Sequence, residues 1–103
     1  MPVNVVIINP YELGRQPFGI AHPAAWLRAD GHQVACIDLA QGRLDDAPIA
    51  DAQLIAIQLA MHTATRIAAE ALPKLRALAP NAHMCVYGLY GQVNEAWLKA
   101  RGI

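Results

Sequence analysis

The sequence predicts an α/β domain built on an open, doubly wound parallel sheet with strand order 2-1-3-4. Three observations carry that expectation. Short, largely apolar runs recur at Val5–Ile8, Gln33–Asp38, Leu54–Leu59 and His83–Tyr87, as in strands covered on both faces. Segments with helical spacing lie between them, so strands and helices alternate. Such alternation implies parallel pairing through right-handed crossovers.

The elements follow in order. Val3–Phe18 holds the first strand, which stops at Asn9-Pro10 and opens into a long loop with Tyr11, Gly14 and Phe18. In parallel sheets ligands bind outside the carboxyl ends of the strands, which gives this loop the address of a site. Gly19–Asp30 places Ile20, Ala24 and Leu27 on one helical face, with Pro23 in its first turn or so, and Gly31 ends it. Gln33–Asp38 is the second strand, and Leu39–Asp51 reads as a polar surface connection with one helical turn. Leu54–Leu59 is the third strand.

Thr63–Ala79 then repeats Ile67, Ala71, Leu72, Leu75 and Leu78 on one face, with Arg66, Glu70 and Lys74 opposite. Pro73 is expected to interrupt and kink it. His83–Tyr87 is the fourth strand, Gly88–Gly91 a tight loop, and Glu95–Arg101 a last helix capped by Asn94. The order is the flavodoxin-like one. Such sheets carry a fifth strand, expected here to be missing or supplied elsewhere, so the chain reads as a piece of a longer protein.

A length of 103 residues suits one domain with one core, and 55% of the residues are hydrophobic. Net charge is zero, which argues against nucleic acid and anionic membrane surfaces as partners. No apolar run approaches the roughly 20 residues that cross a bilayer, and a cytoplasmic location is expected. Cys36 and Cys85 lie in strands expected to be buried, where a thiol serves as a small hydrophobe. No Cys/His spacing matches a metal site, and no catalytic group stands out.

Familiar ligand motifs are missing. There is no GxGxxG after the first strand and no GxxxxGK[S/T], which excludes the common dinucleotide and P-loop modes. Asp38 reads either as a ribose-hydroxyl acceptor or as a turn-forming acid. A phospho-receiver domain would need acids where this chain has Asn9-Pro10 and Leu59-Ala60. Ala60–Thr65 reads as an N-cap region, by Thr63, suited either to a phosphate or amide tail or to ordinary capping. Gly88 reads as room for close backbone approach or as a tight turn. The loops Asn9–Phe18, Ala60–Thr65 and Gly88–Gly91 converge on one sheet edge.

The strand ending in Asn9-Pro10, the Pro17-Phe18-Gly19 helix entry, Gly31-His32, Asp38, the Met61–Thr65 loop and the glycine-containing loop after strand four occur together. Their combination resembles the N-terminal cobalamin-binding-type domain of radical S-adenosylmethionine enzymes. The resemblance implies a domain that is not catalytic alone, joined in cis to a radical domain that holds a four-iron four-sulfur cluster and S-adenosylmethionine. It implies a corrin against Asn9, Pro10, Tyr11, Gly14, Phe18, Gly88, Leu89 and Tyr90, and a nucleotide tail near Met61, His62, Thr63 and Thr65. No D-x-H-x-x-G follows strand one, so His22 is not assigned to cobalt, and Gly88-Leu89 replaces the family's usual Gly-Gly. The alternative is a cofactor-free structural or interaction domain with Tyr11, Phe18, Leu89 and Tyr90 filling the rim. An isolated domain could also pair as a homodimer through the fourth-strand edge.

Overall fold

The computed structural model describes residues 3–10, 18–39, 46–59, 62–88, 96 and 99–100; the side chains of Phe18, Gly19, His22, Asp46, Ala47, His62, Thr63 and Thr65 fall outside that description. The described elements are β1 (Asn4–Asn9), α1 (Phe18–Ala29), β2 (Gln33–Asp38), α2 (Asp46–Ala50), β3 (Leu54–Gln58), α3 (His62–Leu78) and β4 (His83–Tyr87). The four strands form one parallel sheet in the order β2-β1-β3-β4, as the alternation of strands and helices predicts.

Pleating sorts the side chains onto two faces. Val5 and Ile7 of β1 pack with Ile20 and Ala24 of α1, and Val34, Leu54, Ala56 and Tyr87 border that cluster. Val6, Ile8, Ile37, Ile55, Ile57 and Met84 point the other way, against Ile49 of α2 and Ala64, Ala68, Leu72 and Leu75 of α3. Helices therefore cover both faces, and β1, buried from Val5 to Asn9, runs through the centre. An apolar run without alternation is what such a strand requires.

Helix ends follow the local chemistry. At the end of α1 the Gly31 N–H donates to the Arg28 carbonyl and the His32 N–H to the Leu27 carbonyl, with Gly31 at φ +90°. That pair of bonds is a Schellman closure, which satisfies the last carbonyls and needs a left-handed residue. After α3, the Arg76 guanidinium donates to the Ala82 carbonyl at 3.1 Å and so ties the helix end to the approach of β4.

Four sequence expectations need correction. Cys36 is exposed and Cys85 half-buried, rather than both buried, because β2 and β4 are the two outer strands of the sheet and each keeps one residue fully covered, Ile37 and Met84. Pro73 does not interrupt α3, which runs through it; Pro73 is exposed, while Leu72 and Leu75 beside it anchor the helix to the core. Pro23 is the sixth residue of α1, past the first turn, because the helix starts at Phe18. Thr63 stands inside the first turn of α3, not at its cap, because that helix starts at His62. Of the expected last helix, Ala96 and Lys99 are described and helical, and its remainder lies outside the described residues.

Candidate functional site at the carboxyl ends of the strands

The last residues of the four strands are Asp38 (β2), Asn9 (β1), Gln58 (β3) and Tyr87 (β4). Register places them side by side. Asn9 pairs with Asp38, Gln58 pairs with Tyr87, and the pairing of Ile8 with Ile57 sets Asn9 next to Gln58. All four share the face that α1 packs on, so the apolar sheet ends in a polar row across its full width.

Asn9 is the centre of that row. It is 0% exposed, and among the described residues it is the buried polar side chain of the core. Its Nδ2 donates to Asp38 Oδ1 at 3.1 Å, and its backbone carbonyl accepts from the Leu39 N–H at 2.9 Å. An amide beside a carboxylate must present its donors to it, so Asn9 Oδ1 is turned away from Asp38. That oxygen is buried without a hydrogen-bond partner among the described residues, and so is Gln58 Oε1. Buried acceptors are normally satisfied, and each exception needs a reason.

Gly88 follows β4 with φ +102°, and the Leu59 N–H donates to the Tyr87 carbonyl just before it at 2.8 Å. A Cβ at position 88 would stand 2.7 Å from the Leu59 carbonyl oxygen. The need for glycine at this position thus arises within the fold, from the close passage of β3 and β4 ends. Of the two sequence readings of Gly88, the tight turn is the one this contact accounts for.

Asn9 and Pro10 are buried at the end of β1, and Gly88 is exposed at the end of β4. Phe18 opens α1, and His62, Thr63 and Thr65 lie in the first turn of α3, so these backbone positions belong to the same end of the sheet. Tyr11, Gly14, Met61, Leu89 and Tyr90 lie outside the described residues. Sequence reading missed Gln58 and Tyr87 as members of the row and weighed Asp38 only for other roles. The available signal was a polar residue closing each strand of an otherwise apolar sheet.

Two surface hollows lie elsewhere. One of about 210 Å³ sits at the opposite, amino-terminal end of β1 and β2, lined by Asn4, Gln33, Val34, Pro48 and Asp51. The other lies on the outer surface of α3 around Pro73 and Arg76. Neither touches the polar row. Burial pushes the Cys85 thiol above its ordinary pKa. No helix among the described residues is long and apolar enough to cross a membrane, and no three metal-ligating side chains among them are grouped to hold an ion.

The fold and this terminal row define an open flavodoxin-like α/β domain with its candidate site at the carboxyl ends of the strands. No protein-family model matches the sequence, and no curated protein does. A solved structure does resemble it. The radical S-adenosylmethionine methyltransferase TsrM from Kitasatospora setae, with cobalamin and a four-iron four-sulfur cluster bound, superposes with a TM-score of 0.77 at 17% sequence identity. The superposition takes in 100% of this chain and 23% of that one, so the chain spans about a quarter of its structural relative.

Proposed function

We infer that this chain is a cobalamin-binding domain and that it works as part of a longer radical S-adenosylmethionine enzyme. The observation that supports this most is the superposition of its whole length on a portion of a methyltransferase whose structure holds cobalamin. The sequence resemblance supports the same reading. On this reading the radical domain is a partner in cis, the cluster and S-adenosylmethionine belong to that partner, and this domain is not catalytic alone.

The strand-end residues fit such a ligand in one checkable respect. A corrin carries peripheral carboxamides, which are N–H donors, and the strand ends present two buried oxygens that lack donors. The Asn9–Phe18 segment and Gly88–Tyr90 would flank the corrin, and Met61–Thr65 its nucleotide tail. Bound cobalamin would supply the group-transfer reactivity, while the protein supplies shape, burial and hydrogen bonds. Asn9 keeps its amide oriented through Asp38, so the rim would meet the ligand with fixed dipoles.

Mapping tests the location. Backbone and side-chain amide NMR signals recorded with and without hydroxocobalamin are expected to move at Asn9, Gln58, Leu59 and Gly88. Shifts confined to the hollow near Asn4 and Asp51 would place the ligand elsewhere and defeat the assignment.

A further inference from the structure

We propose that Asn9 Oδ1 and Gln58 Oε1 form a receptor for a primary carboxamide of the bound ligand and select amidated corrinoids over their carboxylic acid counterparts. This inference rests on the cobalamin reading and deepens it. Both oxygens are buried and have no partner among the described residues, and they belong to side chains on adjacent strands and the same sheet face. Neighbouring strands lie about 4.8 Å apart, a separation that a single NH2 group can bridge with its two donors.

The choice of ligand chemistry follows from charge and burial. Both atoms are acceptors, so a carboxylate or phosphate would bring further acceptors against them. Asp38, bonded to Asn9, adds a negative group beside the row and disfavours anions further. A cation would have to shed its water to reach two buried oxygens, a larger penalty than for a neutral amide. A neutral N–H donor meets all three conditions. The orientation of Asn9 is fixed from behind by Asp38, so the receptor exists before the ligand arrives.

Binding of two probes by the full chain tests this: hydroxocobalamin, and a corrinoid whose peripheral amides are replaced by carboxylates, each titrated into wild type and Gln58→Met, with circular dichroism to confirm folding. Wild type is expected to bind the amide form at least about tenfold more tightly than the acid form. Gln58→Met is expected to weaken the amide form about tenfold and leave the acid form unchanged, so that discrimination collapses. Cobalamin binding with equal discrimination in wild type and variant would overturn the receptor and spare the cobalamin reading. So would a structure of the complex in which water, or a reversed Gln58 amide, satisfies Asn9 Oδ1. Failure of wild type to bind either corrinoid would overturn both. Should Gln58→Met not fold, Gln58→Leu removes the same acceptor and supplies the same comparison.

Discussion

Gly88 and Leu59 meet at the ends of β4 and β3 so closely that no side chain fits between them: a Cβ on Gly88 would lie 2.7 Å from the Leu59 carbonyl oxygen. The same residue sits at φ +102°, a backbone region that L side chains rarely adopt. Two independent penalties therefore fall on one position at the rim of the candidate site.

Replacing Gly88 with alanine is expected to cost about 2–4 kcal/mol, from backbone strain plus the collision with main-chain atoms. Gly31→Ala shares the positive φ, +90°, but has nothing within 4 Å of its Cβ, and is expected to cost only about 1 kcal/mol. Urea denaturation of the two variants distinguishes strain alone from strain with collision. Equal losses would mean that the Leu59 contact relaxes freely.

Asn9→Asp places a second carboxylate against Asp38 at a position with 0% exposure. The expected loss at neutral pH is about 3 kcal/mol, because a buried charge loses solvation and gains a like-charged neighbour. Thermal melting at pH 7 checks this, and a loss under about 0.5 kcal/mol, the scale of ordinary surface substitutions, would show that the strand ends are wet rather than enclosed.

In the core, Leu75→Ala is expected to lose about 3 kcal/mol, since Leu75 is fully buried between α3 and the sheet. Trp26→Ala, at a residue 71% exposed on α1, is expected to change stability by no more than about 0.5 kcal/mol. Chemical denaturation measures both. A large loss at Trp26 would contradict the packing described for α1.

The two thiols should react in a definite order. Cys36 is exposed, whereas burial holds the Cys85 pKa above its ordinary value. Iodoacetamide at neutral pH is expected to modify Cys36 first, with mass spectrometry reading the sites. The sign for stability follows from linkage. A thiol whose pKa is raised by folding keeps its contribution below the unfolded pKa and loses it as pH climbs toward and through the folded value. Stability should therefore decline on the alkaline side, and Cys85→Ser or Cys85→Ala should flatten that decline.

Most of the architecture was legible in the sequence because burial on two faces leaves an unmistakable pattern. Val5–Ile8 has no polar residue to spare for solvent, and Gln33–Asp38 and His83–Tyr87 are bounded by Gly31-His32 and Pro80-Asn81 before and by Gly88 after. Strand order followed from alternation. The burial expected of Cys36 fails because an edge strand carries the same short apolar run as a central one, and the edge position that the order 2-1-3-4 gives β2 outweighs that run. Pro73 was misread because local propensity weighs less than the burial of Leu72 and Leu75 on either side of it. The polar row was legible only in part, as a polar residue closing each strand and as Asn9 at the first of the site loops. Asp38, Asn9, Gln58 and Tyr87 are scattered in sequence, and only register brings them together.

The central claim concerns what that row and its flanking loops hold. A spectrophotometric titration of the purified chain with hydroxocobalamin, cross-checked by calorimetry, tests it most directly. The expected result is saturable binding of one cobalamin per chain with a change in the visible spectrum, weakened about tenfold by Gln58→Met. No spectral change and no heat at high micromolar cobalamin, from a chain shown to be folded, would contradict it.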